Sequence, residues 1–224
     1  MKIISFSGID GAGKSTQIDA LDNWLHAVGR STTILTFWDH VAAFSRFRET
    51  VSYKAFKGDQ GIGSPDKPLN RRDKNVTSWP VSAARFGLYF ADALNLRRKL
   101  AKLKKSRIDV VIFDRYIFDE LANLPLQRGP ARLFARFLLR LAPAPDAAFI
   151  IDADPVAARE RKPEYPLDFL RNNRESYLAL SRLSGTITVI EPGSVEEAES
   201  KIRETMLERL SAPETAVAGL PALQ

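Results

Sequence analysis

The sequence predicts an α/β fold of three layers, in which a central parallel sheet is flanked by helices on both faces. Short apolar or β-branched segments alternate with longer segments whose apolar residues recur at helical spacing. Residues 108–113 are apolar almost throughout, as strands buried on both faces of a parallel sheet are. This alternation favours an open sheet whose ligands bind at the carboxyl ends of its strands.

The predicted elements alternate along most of the chain. Strands are expected at residues 2–7, 31–37, 108–113, 147–151 and 186–190. Helices are expected at residues 14–28, 38–53, 81–105, 119–124, 130–141, 155–161, 167–184 and 194–210. The first helix ends at Gly29, and the last has Ser194 and Glu197 in capping-box positions. Residues 57–80 are rich in glycine, proline and charge, which predicts a long surface excursion of unassigned role.

The composition predicts one ordinary globular domain over residues 1–210, followed by an Ala- and Pro-rich tail, residues 211–224, that we expect to be disordered. The chain has no cysteine, which excludes disulfides and Cys-ligated metals and suits a cytoplasmic location. No signal peptide pattern precedes the first strand. The most apolar stretch, residues 133–151, contains Arg136, Arg140 and Asp146, so we expect no membrane span.

The net charge of +6 favours anionic ligands without choosing among them. The densest basic run, residues 97–107, lies at the end of a predicted helix, where cations complement the helix dipole. We interpret it as a solvated face and do not expect nucleic-acid binding.

A phosphate-binding loop is predicted between the first strand and the first helix. The run Gly8-Ile9-Asp10-Gly11-Ala12-Gly13-Lys14-Ser15 matches the full Walker A pattern in the required context. Its backbone N–H groups and the helix N-terminus bind phosphate, Lys14 reaches the β- and γ-phosphates, and Ser15 can ligate Mg²⁺. ATP with Mg²⁺ is therefore the expected donor.

Further charged residues suit phosphoryl transfer. Asp114 ends the strand at residues 108–113 and is the candidate Walker B carboxylate for Mg²⁺. Arg159, Arg161 and Lys162 follow another strand end, where a short lid helix can close over the phosphates and supply cations to the transition state. The pattern predicts a P-loop kinase fold with a short lid.

An arginine stripe marks the helix at residues 130–141. Arg128, Arg132, Arg136 and Arg140 are spaced four apart, which indicates a solvated face. The opposite Phe and Leu face is predicted to lie in the core, with a subunit contact in a homodimer as the alternative.

Several motifs in order resemble those of the thymidylate kinase family. They are the P-loop through Thr16, Tyr89-Phe90-Ala91-Asp92, Asp114-Arg115-Tyr116, Pro145-Asp146 before a strand, Phe169-Leu170-Arg171 and Arg174-Glu175-Ser176-Tyr177-Leu178. The resemblance implies that Asp10 faces the acceptor sugar, Asp114 serves Mg²⁺ and Arg115 holds the acceptor phosphate. Gly11 stands where some members carry an arginine, and members without it are similar in placing arginines in the lid.

The acceptor half diverges from that family. Phe37-Trp38-Asp39-His40-Val41 stands where the family has Arg-Glu-Pro-Gly-Gly, and Asn123-Leu124 stands where it has Tyr-Gln. Ala93 replaces an arginine that the family has soon after Asp92, and residues 63–74 form an insertion.

The acceptor side leaves two chemistries open. A monophosphate needs cations, which Arg48, Arg71, Arg72 and Arg85 can supply, whereas a hydroxyl acceptor needs a carboxylate base. Asp39 follows the second strand, where the deoxynucleoside kinases, which resemble this fold, keep their catalytic acid residue. Its alternative role is the N-cap of the next helix.

The expected activity is phosphoryl transfer from ATP to a nucleoside monophosphate, with dTMP to dTDP as the first choice. A kinase acting on a nucleoside hydroxyl or another small metabolite is the alternative. A P-loop NTPase switch is a third, which the lid arginines disfavour because a switch usually borrows its arginine from a partner.

Overall fold

The computed structural model describes residues 1–42 and 79–211, with the backbone alone for residues 79–85, 210 and 211. Its strands are β1 (Lys2–Ser7), β2 (Thr32–Thr36), β3 (Val110–Asp114), β4 (Ala147–Ile151) and β5 (Ile187–Ile190). All pair in parallel in the order β2-β3-β1-β4-β5. This confirms the predicted parallel sheet, with strand bounds that agree within two residues.

The helices lie between and after these strands. They are α1 (Lys14–Ala27), α2 (Phe37–His40), α3 (Trp79–Leu103), α4 (Ile117–Leu121), α5 (Gly129–Leu141), α6 (Pro155–Arg161), α7 (Leu167–Ser184) and α8 (Val195–Ser211). Helix α1 packs against α8, whereas α3, α5 and α7 pack with one another or with α4. The sheet is therefore flanked by helices, as a three-layer P-loop kinase fold requires.

The core lies on the three central strands. Phe6, Phe113 and Phe149, one from each of β1, β3 and β4, are fully buried. The apolar face of α1, with Ile18, Leu21 and Leu25, is buried as well. Because β1 lies between β3 and β4, the loop that follows it lies at the carboxyl edge of the sheet beside the ends of both strands.

The caps explain where two helices begin. Ser194 and Glu197 form the predicted capping box of α8, with bonds of 2.9 and 3.1 Å between side chain and backbone. Helix α4 begins at Ile117, two residues before the predicted start, because the Tyr116 N–H donates to the Asp119 carboxylate at 2.9 Å.

The prediction that the whole apolar face of α5 is core was wrong. Leu138 is buried, but Leu133 is 70% and Phe137 is 49% exposed. The helix turns Ala131, Ala135 and Leu138 inward, so the two larger side chains lie at the edge of the buried face. Of the predicted helix at residues 38–53, α2 covers 37–40, and residues 43–53 lie outside the described part of the chain.

None of the helices in the described ranges combines the length and apolar character that a membrane crossing requires.

Candidate active site

The loop at residues 8–13 wraps the N-terminus of α1 and has backbone torsions that favour glycine. Gly11 has a φ of +81° and Gly13, the N-cap residue of α1, has a φ of +91°. At Gly11 a Cβ would overlap the backbone carbonyl of Ala158 in α6, so the loop and α6 are in backbone contact there. The arrangement leaves the first N–H groups of α1 directed at the loop interior, where anions bind.

The side chain of Lys14 lies inside the phosphate-binding loop. Its Nζ donates to the carbonyl oxygens of Gly8 at 3.0 Å and Ile9 at 2.8 Å, and the side chain is buried. Burial, followed by the nearby positive charge of Arg115, lowers the pKa of Lys14 to about 8. The amine is thus held in the cradle by acceptors that a phosphate oxygen can replace.

Ser15, Thr16 and Asp114 lie at the same edge of the sheet. Ser15 and Thr16 are exposed in the first turn of α1. Asp114 ends β3 and lies opposite Phe6 of β1 in the strand register. Its negative charge acts on Lys14, where it favours the ammonium form. The predicted Mg²⁺ residues therefore flank the loop.

Arg115 lies between two carboxylates. Its Nη2 donates to Asp10 Oδ1 at 2.5 Å and its Nη1 to Asp119 Oδ1 at 3.0 Å. Burial opposes the charged form, but the carboxylates of Asp119 and Asp10 outweigh it and raise the pKa of Arg115. Arg115 has a φ of +70°, which is uncommon for a residue other than glycine, and its N–H donates to the Phe6 carbonyl at 2.9 Å. The guanidinium is a permanent cation, and each of its terminal nitrogens donates a hydrogen bond to a carboxylate.

Asp119 is a central residue of the site that the sequence pattern did not predict. It is buried, and its carboxylate accepts from Ser7 Oγ at 2.6 Å, the Tyr177 hydroxyl at 2.7 Å, the Tyr116 N–H at 2.9 Å and Arg115. Its position as the third residue of a helix after Asp114-Arg115-Tyr116 was the one local signal, because carboxylates cap helix N-termini.

The predicted lid corresponds to α6. The Asp154 carboxylate caps this helix by accepting from the N–H groups of Val156 and Ala157, each at 3.0 Å. Lys162, directly after α6, has its Nζ 3.9 Å from Asp10 Oδ1 and 3.4 Å from Glu164 Oε1. The lid therefore brings a cation to the same carboxylate that binds Arg115.

The two predicted lid arginines differ in their surroundings. The Arg159 Nε is buried and has no hydrogen-bond partner within the described ranges. The Arg161 side chain is exposed, and its Nε donates back to the Ala157 carbonyl at 3.2 Å. Arg159 thus holds an unsatisfied buried donor, an arrangement that is uncommon in proteins.

A second ion pair joins the end of β4 to α7. Arg174 donates to both oxygens of Asp152, through Nε and Nη2, at 2.6 Å each. Asp152 is nearly buried, and its hydrogen bonds to Arg174, followed by its negative charge, raise the pKa of Arg174. This pair joins residues 152 and 174, which lie on either side of the segment that contains α6.

Comparison with known proteins points to one family. A probable thymidylate kinase of Pyrobaculum aerophilum is 27% identical over 212 residues, which cover 91% of this chain and 95% of that protein. The corresponding protein of Methanothermobacter thermautotrophicus is 28% identical over 91% of this chain, and the thymidylate kinase of Bifidobacterium longum is 25% identical over 80% of it. The chain is thus similar to thymidylate kinases over most of its length. No family model matches it.

The structure describes the acceptor side only in part. Asp39 is exposed in the first turn of α2, and Thr36 is the N-cap residue, so the N-cap alternative for Asp39 was wrong. Arg48, like Arg71 and Arg72, lies outside the described residues, and Arg85 lies in α3 with its backbone alone described.

The residues predicted to bind Mg²⁺ offer oxygen donors. In the described part of the chain no group of three or more His, Asp or Glu side chains is arranged to hold a metal. The Ser15 hydroxyl and the Asp114 carboxylate are oxygen donors of the kind Mg²⁺ accepts, and Mg²⁺ usually takes its other ligands from water and substrate phosphates.

Proposed function

We propose that this protein is a nucleoside monophosphate kinase that transfers the γ-phosphoryl group of ATP to dTMP. The observation that carries the proposal is the position of Asp10. This residue of the phosphate-binding loop contacts Arg115 at the end of β3 and lies 3.9 Å from Lys162 beside the lid. The phosphate-binding loop, the acceptor-side arginine and the lid thus meet at the Asp10 carboxylate. Relatives named thymidylate kinase support the choice of acceptor.

The donor half of the site binds ATP through the loop and the start of α1. Residues 8–16 surround the β- and γ-phosphates with backbone N–H groups, and Lys14 exchanges its bonds to the Gly8 and Ile9 carbonyls for phosphate oxygens. Ser15 and Asp114 hold Mg²⁺, which neutralises charge on the β- and γ-phosphates when bound. Within this assignment Gly8, Asp10, Gly11, Ala12, Gly13 and Thr16 shape the cradle.

The acceptor half holds dTMP by its phosphate and its sugar. Arg115 donates N–H groups to the acceptor phosphate, and Asp10 faces the sugar. Arg85 and Arg48 are proposed as further acceptor cations. A monophosphate oxygen attacks the γ-phosphorus, the bond from that phosphorus to the bridging oxygen breaks, and ADP leaves with the electron pair. An ionised phosphate oxygen needs no general base.

The lid supplies charge to the transition state. Arg159 and Arg161 on α6 are proposed to contact the transferring phosphoryl group together with Lys14 and Arg115. The buried Nε of Arg159, which has no partner among the described residues, supports this role because a phosphate oxygen would satisfy it. Arg161 must exchange its bond to the Ala157 carbonyl for one to phosphate.

A second acceptor class is supported by the exposure of Asp39. This carboxylate follows β2, whose neighbour β3 carries Asp114, so it lies at the carboxyl edge of the sheet. A nucleoside hydroxyl could lose its proton to such a base. Asp39→Asn separates the two, since it should reduce turnover strongly only with a hydroxyl acceptor.

The experiment that tests the proposal is product analysis. The protein is incubated with ATP, Mg²⁺ and dTMP, and the products are resolved by ³¹P NMR, with Lys14→Met as the matched control. Formation of dTDP by the wild type and not by the variant is expected. Release of ADP and inorganic phosphate without dTDP would contradict the proposal.

A single catalytic domain over residues 1–210, a homodimer and a cytoplasmic location stay predictions.

A further inference from the structure

Asp119, in α4, joins three other parts of the fold at one carboxylate. Ser7 comes from β1, Arg115 and the Tyr116 N–H from the turn after β3, and Tyr177 from α7. Ser7 and Tyr177 are distant from Asp119 in sequence, and the Asp119 side chain is only 2% exposed. A buried anion that collects donors from separate elements fixes their relative positions.

The hydrogen-bonding capacity of Asp119 is filled. An ionised carboxylate has about four lone-pair sites, two on each oxygen. Ser7 and the Tyr116 N–H occupy Oδ2, while Arg115 and Tyr177 occupy Oδ1. Asp119 therefore has no site left for a metal, a substrate proton or a water nucleophile, and it must act through the groups that it binds.

Arg115 is the group through which it can act on the reaction. Arginine has five N–H donors, and here one on Nη1 binds Asp119 while one on Nη2 binds Asp10. Two contacts on different nitrogens fix the plane of the guanidinium as well as its position. The other N–H donors then point in directions that this plane determines.

We propose that Asp119 is a positioning residue for phosphoryl transfer, which orients the Arg115 guanidinium toward the acceptor phosphate and links it through Tyr177 to the helix that follows the lid. This inference rests on the proposed function, because it takes the reacting anion to be a monophosphate held by Arg115. Asp119 touches no reacting atom. Its contribution is the fixed geometry of a cation that does.

The charges around Arg115 predict how substitution of Asp119 changes the KM for dTMP and how it changes kcat. The carboxylates of Asp10 and Asp119 outnumber the one guanidinium between them, so Arg115 attracts a phosphate less than an unpaired arginine does. Asp119→Asn removes one of these negative charges and leaves Arg115 cationic. The KM for dTMP should therefore not rise, while kcat falls by roughly tenfold to a hundredfold because the cation is misplaced.

A matched pair of tyrosines separates positioning from stability. Both the Tyr177 and the Tyr116 hydroxyl are buried, and each donates one hydrogen bond of 2.7 Å. Tyr177 donates to Asp119, whereas Tyr116 donates to the Pro143 carbonyl. Both Tyr177→Phe and Tyr116→Phe should lower Tm, by similar amounts. Tyr177→Phe should also lower kcat with dTMP several-fold at unchanged KM for ATP, whereas Tyr116→Phe should leave kcat unchanged.

The test combines these variants with a double-mutant cycle. Asp119→Asn is made in the wild type and in Arg115→Lys, and kcat with dTMP is measured at saturating ATP. If Asp119 acts through Arg115, its substitution changes kcat far less in the Arg115→Lys background. Equal losses in both backgrounds would overturn the inference, and so would parallel losses of kcat in Tyr177→Phe and Tyr116→Phe.

A spectroscopic readout keeps the inference separate from the proposed function. The held guanidinium of Arg115 should give slowly exchanging Nη signals in ¹⁵N-resolved NMR, and these should collapse in Asp119→Asn and persist in Tyr116→Phe. Persistence of the signals in Asp119→Asn would overturn the positioning claim even if no monophosphate were a substrate. Absence of dTDP formation by the wild type would instead contradict the proposed function.

Discussion

Gly11 and Ala158 are in backbone contact, and through it the lid helix α6 rests directly on the phosphate-binding loop. A Cβ on Gly11 would overlap the Ala158 carbonyl oxygen, whereas a Cβ on Gly13 would meet nothing within 4 Å. Both glycines have positive φ. The loop therefore has no room at position 11 for any side chain, and the proposed transfer cations Arg159 and Arg161 lie on α6 instead.

Gly11→Ala should therefore be more damaging than Gly13→Ala. Each substitution costs about 1–2 kcal/mol because an L-residue at positive φ is strained. Gly11→Ala additionally forces α6 away from the loop. Thermal unfolding without nucleotide measures the difference, and we expect the lower Tm for Gly11→Ala. Equal losses of Tm in the two variants would show that α6 does not rest on the loop.

Lys14→Met should abolish transfer and leave the fold intact. The pKa of Lys14 is lowered in the folded protein, so between about pH 8 and the unfolded value of 10.5 the unfolded chain binds more protons, and stability rises with pH. At pH 7 the charged lysine is thus a burden on folding. We expect Tm in the variant to equal or exceed that of the wild type, while kcat falls by about a hundredfold or more. Full activity in a folded variant would refute the role.

The lowered pKa of Lys14 also predicts a pH dependence for ATP capture. The amine binds phosphate as the ammonium ion, so kcat/KM for ATP should fall as pH rises through about 8. Bound phosphates favour the charged form, and kcat at saturating ATP should hold to higher pH. Steady-state kinetics between pH 6.5 and 10 measure both. A flat kcat/KM across this interval would contradict the assignment.

Arg174→Met should destabilise the protein more than Arg171→Met. Arg174 binds both oxygens of the nearly buried Asp152, and its loss leaves that carboxylate without its cation, at a cost of about 2–3 kcal/mol. Arg171 lies 3.5 Å from Asp168, which is 89% exposed, and its loss should cost under about 1 kcal/mol. Urea unfolding compares the two, and equal midpoints would contradict a structural role for the Asp152–Arg174 pair.

The strands and the phosphate-binding loop were predictable because their signals are local. Apolar runs identify the buried strands, and the glycine spacing of residues 8–13 between a strand and a helix identifies the cradle. The contacts of Asp119 were not predictable in this way, since Ser7 and Tyr177 lie 112 and 58 residues from it in sequence. Only the folded sheet brings them together.

The exposure of Leu133 and Phe137 was not predictable from helical periodicity alone. Helical periodicity places apolar residues on one side of α5, but it does not determine how wide a band the rest of the fold covers. Small residues, Ala131 and Ala135, take the innermost positions and let the helix approach its neighbours closely. The larger side chains of Leu133 and Phe137 then lie at the edge of the buried face of α5.

Asp10, Arg115 and the lid form the proposed site of a monophosphate kinase, and a panel of acceptors distinguishes this function from the alternatives. ADP release from ATP and Mg²⁺ is measured with dTMP, other nucleoside monophosphates, nucleosides and no acceptor. We predict that dTMP stimulates ADP release most strongly. Stimulation by nucleosides alone, or slow hydrolysis that no acceptor changes, would contradict the account.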